Sequence, residues 1–267
     1  MKRTPIDFIS KDLPSSIQSI CQGCKIYDSS CSQNAKVYFI DRDYGYYLKI
    51  SEAGSLEREA LMTNFFHKKG IGTEIFSYYS DTHDIMLTKA ALGEDCTNIM
   101  YTSDPKRLCE TLAETLRMLH SIDPKDCPVQ DRIGEYISLA EKNYFTDKYN
   151  KEHFPDSFGY KSGEEAWNFL SAKRHLLKNE VIIHGDYCLP NIMLDNWKFS
   201  SFIDLGNSGI GDRHIDLFWG QWSIEFNLKL IGNTDAKKYG ERFLDAYGRD
   251  LIDDERMRIV ASAEVFG

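Results

Sequence analysis

Residues 181–211 read VIIHGDYCLPNIMLDNWKFSSFIDLGNSGIG. An apolar, β-branched run, Val181–Ile183, ends in His184-Gly185-Asp186. A short run of this kind, stopped by a turn signal, reads as a buried strand. Asn191 follows Asp186 by five residues, and two more short strands, Ile192–Leu194 and Phe199–Ile203, deliver Asp204 inside Phe202-Ile203-Asp204-Leu205-Gly206. One tight hairpin separates Asn191 from Asp204, so both oxygen ligands can face one point. A carboxylate and an amide carbonyl suit a hard cation such as Mg²⁺, which keeps its waters and accepts substrate phosphates. A separate carboxylate nearby can take the proton of an attacking hydroxyl. Phosphoryl transfer uses these parts: a group that positions the nucleophile and a metal that neutralises phosphate charge. Each residue alone reads as a turn or cap; the order and spacing of the three carry the assignment. His184 reads as a brace for the loop rather than a metal ligand.

Working outward, the first ninety residues read as short strands around one helix. Lys36–Asp41 and Tyr46–Ile50 form a hairpin pattern, and Ile75–Tyr79 and Ile85–Thr88 a second one across Asp81-Thr82-His83. Leu56–Lys69 has apolar residues at 61, 62, 65 and 66 and stops at Gly70, a helical spacing. Beyond residue 90 the pattern turns helical. Asp104-Pro105 opens a helix with Leu108, Leu112, Leu116 and Leu119 on one face. Further helical patterns cover 133–145, 163–177, 214–228, 236–247 and 253–265. A β-rich part followed by a helix-rich part is an α+β, two-lobe layout, and cofactor sites tend to lie between such parts.

Composition sets the outer limits. The chain has 267 residues, 42% hydrophobic and 27% charged, an ordinary globular balance that excludes disordered and fibrous classes. The net charge of −9 disfavours a broad grip on nucleic acid and favours a cationic partner. No run approaches the roughly 18 apolar residues of a membrane span, and no signal-peptide pattern opens the chain. Seven scattered cysteines, an odd number, fit a reducing cytoplasm better than an oxidised framework. Cys21-x-x-Cys24 stands without a second pair and reads as structural. The absence of a G-K-[ST] loop disfavours a P-loop enzyme. A metallohydrolase built on His184 and Asp186 would lack the second histidine cluster such sites need.

The stretch H-G-D-x-x-x-x-N followed by F-I-D-x-G resembles the catalytic segment of the aminoglycoside 3′-phosphotransferases, within the protein-kinase-like fold shared with choline-type kinases. Cys188–Met193, Gly209–Asp212 and the ending Glu264-Val265-Phe266 resemble the 3′ group more narrowly. The likeness implies a bilobal α+β fold, with residues 1–89 as a β-rich nucleotide-binding lobe and 90–267 as a mainly helical catalytic and substrate-binding lobe. It implies ATP and Mg²⁺ as cofactors and transfer of the γ-phosphate to a hydroxyl, expected at the 3′ position, of a cationic aminoglycoside. No nucleic acid or membrane partner is implied, and the oligomeric state is left open.

Carried onto this chain, the resemblance makes Asp186 the catalytic base and gives Asn191 and Asp204 the metal. Lys49 would contact the α/β-phosphates and Glu59 would pair with it. Periodicity does not separate Glu59 from Glu57, and Lys49 taken alone reads as an exposed edge-strand lysine. Ser32 would lie in a phosphate-covering loop, Tyr47 would stack on adenine, and Ala90 would offer backbone hydrogen bonds at the hinge. Asp156, Glu225 and Glu264 are the candidate acids for substrate ammonium groups. Several positions depart from the family pattern: His153 and Pro155 replace acids, Asn207 replaces an arginine, and Trp222 and Asn227 stand where an arginine and an acid are usual. Gly267 follows the usual last aromatic. These departures predict a narrower or weaker activity, and leave open a kinase of another small hydroxyl compound such as choline, methylthioribose or an amino alcohol, or a non-catalytic nucleotide-binding pseudokinase.

Overall fold

The computed structural model describes residues 3–8, 10–31, 35–151 and 158–267. Ser32 and Asp156 therefore lie outside the described residues. The chain forms two compact units, Met1–Cys96 with Pro190–Gly206, and Thr97–Leu189 with Asn207–Gly267.

The first unit is built on an antiparallel sheet of β1 (Thr4–Ile6), β2 (Lys25–Asp28), β3 (Ala35–Asp41), β4 (Tyr46–Glu52), β5 (Ile75–Ser80) and β6 (His83–Lys89), in the order β1-β2-β3-β4-β6-β5. Both expected hairpins are present. β4 pairs with β3 on one side and β6 on the other, with Lys49 opposite Val37 and Met86. Lys49 thus stands in the sheet interior, not on an edge, because β6 of the second hairpin pairs with the side of β4 that the first hairpin leaves open. Side chains alternate across a strand. Leu48 enters the core with Ile40 and Leu87, while Tyr47 and Lys49 share the other face.

Two helices, not one, accompany these strands: α1 (Ser15–Cys21) and α2 (Glu57–Lys68). α1 is short and has neither a side-chain cap nor an acidic first turn, so it lacks the usual start signals. The start of α2 is fixed from a strand. Asp84 on β6, fully buried, accepts the N–H groups of Gly54 and Leu56 at 2.9 and 2.8 Å. This sets the rotation of α2, which buries Ala60, Met62, Phe65 and Phe66 and also Glu59. A second, three-stranded sheet joins β7 (Glu94–Asp95), β9 (Ile192–Asp195) and β10 (Lys198–Phe202) in the order β10-β9-β7.

The second unit carries one small strand pair, β8 (Val181–Ile183) with β11 (Gly209–Gly211), among helices. These are α3 (Ile99–Thr102), α4 (Pro105–His120), α5 (Arg132–Phe145), α6 (Gly163–Lys173), α7 (Arg213–Leu230), α8 (Ala236–Tyr247) and α9 (Asp254–Glu264). Asp104 caps α4 by accepting the Arg107 N–H, and the four leucines of its stripe are fully buried. A second core gathers Ile137, Leu170, Ile183, Ile215, Val260 and Phe266. Asp212 caps α7, takes the His214 ring at 2.7 Å, and receives the Arg256 guanidinium. Among the described residues no helix is long and apolar enough to cross a membrane, and all seven cysteines are free.

Candidate active site

The first unit holds a cavity of about 330 Å³ lined by Val37, Tyr47, Lys49, Glu59, Met86, Asn191 and Asp204 among others. That volume is within the range of small-ligand sites. Lys49 sits between two carboxylates, its Nζ 2.6 Å from Glu59 Oε2 and 2.9 Å from Asp204 Oδ1. Burial works to lower the Lys49 pKa, but the charges of Asp204 and Glu59 outweigh it and hold the ammonium above its ordinary range. Burial pushes the Glu59 carboxyl up, against the pull of Lys49. The choice between Glu57 and Glu59, open from periodicity, is settled by this contact.

Asn191 and Asp204 come together as their spacing suggests. The Ile203 N–H donates to the Asn191 carbonyl at 3.1 Å, which ties the two ends of the β9–β10 hairpin. Asp204 has φ of 58°, in the left-handed region that side chains other than Gly, Asn and Asp adopt at a cost. Its side chain is about half exposed, at 53%, so it can reach a ligand from the cavity wall. An amide oxygen and a carboxylate at one cavity are the donor chemistry of Mg²⁺, and these residues fit that ion. Tyr47 also lines the cavity, and Arg3 holds its phenol oxygen at 2.9 Å while lying over the Phe39 ring. The Ala90 N–H is spent on the Gly45 carbonyl at 3.0 Å, and its neighbours Lys89 and Ala91 line the cavity.

The second unit holds Asp186 on a loop fixed by backbone bonds. Asp216, fully buried in the first turn of α7, accepts the N–H groups of His184 and Gly185, each at 2.8 Å. His120 Nε2 lies 3.1 Å from the same carboxylate. His184 is buried, and its Nδ1 accepts the Asp186 N–H at 3.3 Å, the bracing role expected of it. Gly185 has φ of 79°, and a Cβ there would meet the Asn207 carbonyl at 2.0 Å, so only glycine fits. Glu264 is half-buried, and its Oε1 accepts from Tyr136 Oη at 2.7 Å and Trp219 Nε1 at 2.9 Å. Asp186 is close enough for its charge to act on that carboxyl. Glu225 is turned elsewhere, to Lys229 at 3.4 Å and against Gly240 of α8.

A family model described as the phosphotransferase enzyme family matches residues 28–260. The chain belongs to that family. It is 48% identical over 255 residues, 95% of each chain, to a probable aminoglycoside 3′-phosphotransferase of Lactococcus lactis. An aminoglycoside 3′-phosphotransferase of Enterococcus faecalis is 27% identical over 239 residues, covering 84% of this chain and 86% of that one. Among solved structures, a type VIII aminoglycoside-3′-phosphotransferase superposes with a TM-score of 0.76 at 20% identity over 94% of this chain and 97% of that one. An aminoglycoside phosphotransferase from Streptomyces rimosus gives 0.75 at 22% identity over 94% of each chain. The bilobal α+β kinase-like fold and an ATP-dependent small-molecule kinase are thereby borne out.

Within this phosphotransferase, sequence reasoning missed Asp216, Arg3 and the Trp219–Glu264 contact. Asp216 offered one signal, an acid in an otherwise apolar run (His214–Trp219). Burial pushes the Glu264 carboxyl up to about 7, with the Asp186 charge adding and the Tyr136 and Trp219 bonds opposing. The folded state therefore holds this proton more tightly than the unfolded chain. The resulting stability is complete below about pH 4.3. It fades as pH climbs toward 7, by on the order of 3 kcal/mol. Glu264→Gln should remove that decline. Thermal melts of both proteins from pH 4 to 8 check it: a wild-type-minus-variant difference that stays flat would sink the assignment.

Proposed function

We propose that this phosphotransferase moves the γ-phosphate of ATP to a hydroxyl, at the 3′ position, of a cationic aminoglycoside. The observation that carries the reading is Lys49 held between Glu59 and Asp204 in a cavity that also presents Asn191. The 48% identical relative, named for that substrate, supports the substrate class. Lys49 would contact the α/β-phosphates, with Glu59 keeping its ammonium in place. Asn191 and Asp204 would hold Mg²⁺, which when bound neutralises phosphate charge. Tyr47 would stack on adenine, and the Ala91 N–H, next to Ala90, would serve its edge. Residues 1–89 would supply the nucleotide grip, and 90–267 the metal, base and substrate groups.

Asp186 would accept the proton of the attacking hydroxyl and keep it aligned for in-line displacement. No covalent enzyme intermediate is needed. The one thiol on the loop, Cys188, is pushed well up by burial, with Asp186 adding, and is a poor nucleophile. Glu264 would meet a substrate ammonium group. ATP is a cytoplasmic metabolite, which supports a cytoplasmic location. The second reading, another small hydroxyl compound, is favoured by one observation: the Asn227 amide is engaged with Ser223, and Glu225 with Lys229. ADP release measured with kanamycin, neomycin, choline and methylthioribose decides. Stimulation by the first two supports the aminoglycoside reading, and stimulation by choline or methylthioribose alone replaces it.

A further inference from the structure

Helix α7 continues past its contact with Glu264 as an aromatic stair. Trp219, Trp222 and Phe226 are spaced i, i+3 and i+7, which places them along one stripe. Trp219 donates to Glu264 and meets the Trp222 ring edge to face, 5.4 Å between centroids at 81°. Trp222 lies flat on Phe226, 4.8 Å apart at 9°. The stair starts at a carboxylate that feels the Asp186 charge and ends at an exposed ring, since Trp219 and Trp222 are half-buried and Phe226 is 44% exposed. Phe243 and Phe266, which pack in the interior of this unit, are by contrast fully covered.

The polar groups beside the stripe are already committed. Asn227 Nδ2 donates to the Ser223 carbonyl at 2.8 Å and its Oγ at 3.2 Å, and that Oγ receives the Leu189 N–H. Glu225 faces Lys229 and α8. One ring beyond the Trp219 that bonds Glu264, the stripe offers a cationic ring compound the half-buried indole of Trp222. A cation over a tryptophan face is attracted by its quadrupole, and an apolar sugar face packs on the same surface. We propose that Trp222, held flat by Phe226, is a substrate-binding residue that receives an ammonium-bearing sugar ring of the substrate. This deepens the phosphotransferase reading above and rests on it. The indole takes over part of the cation recognition that carboxylates would supply, and so sets which amino-sugars bind.

The test is steady-state kinetics with kanamycin and ATP on the wild type and on Trp222→Ala, Trp222→Phe and Phe226→Ala, each with its melting temperature. Trp222→Ala is expected to raise the KM for kanamycin about 5- to 30-fold, with a smaller change in kcat and the KM for ATP unmoved. Trp222→Phe should restore most of the affinity, and Phe226→Ala should fall between. An unchanged kanamycin KM in Trp222→Ala overturns the inference. So does a parallel rise in the KM for ATP in both Trp222 variants, which marks a structural role. A wild type that releases no ADP with any aminoglycoside overturns the substrate reading and this inference together, so the two failures are told apart.

Discussion

Asp186→Ala is expected to lower kcat by about 10²- to 10⁴-fold while Mg-ATP still binds. That range is about 3–5 kcal/mol of transition-state stabilisation. The split between turnover and binding follows from where the residues sit. The cavity is lined by residues of the first unit alone, whereas Asp186 belongs to the loop of the second. Its backbone is held by His184 and by the Asp216 bonds to the two preceding residues, none of which needs the Asp186 side chain. The variant should therefore keep its fold. Turnover is read by ADP release and affinity by calorimetry with Mg-ATP. Wild-type kcat in a folded Asp186→Ala would remove the base assignment, and a lost nucleotide affinity would make Asp186 a binding group instead.

Asp204 should fail in the opposite way. Asp204→Ala is expected to weaken Mg-ATP binding at least about 100-fold, with the loss confined to the metal-bound nucleotide. Two effects are mixed in that variant. The carboxylate goes, and alanine is also forced into a left-handed backbone at φ of 58°, which costs roughly 1–2 kcal/mol. Asp204→Asn separates them, because asparagine tolerates that conformation. It should melt near the wild type and still lose metal-dependent binding. Calorimetry with ATP in Mg²⁺ and in EDTA reads this. If Asp204→Asn binds Mg-ATP as tightly as the wild type, the carboxylate is not a metal ligand.

The parts of the candidate site most legible in the sequence lie within one short stretch, residues 186–204. Asn191 and Asp204 flank a single short hairpin, so local turn geometry alone brings them together, and Asp186 precedes Asn191 by five residues. Glu59 and Lys49 are ten residues apart on different elements, and only the register of β4 and the rotation of α2 show that they meet. Taken alone, Lys49 reads as an edge residue, because the sequence shows two separate hairpins and not that β6 of one pairs with β4 of the other. Asp216 and Arg3 act across 31 or more residues, through bonds that no periodicity encodes. Glu264 was found from its motif, but its tyrosine partner and its tryptophan partner 45 residues earlier were not. Long-range hydrogen bonds are set by packing, and packing is what a linear pattern conveys least.

Helix α7 spans 18 residues and bears two unlike responsibilities. Its first turn, through Asp216, locks the loop that presents the base. Trp222 and Phe226 lie nearly two and nearly three turns further on, roughly 9 and 15 Å along the axis from Asp216. On the proposed role of Trp222, a stiff rod carrying both lets exchanges further along it retune which amino-sugars bind without disturbing the loop at its root. Exchanges toward the far end of that rod are thus expected to shift substrate preference, while those at Asp216 should loosen the loop and lower turnover for every substrate.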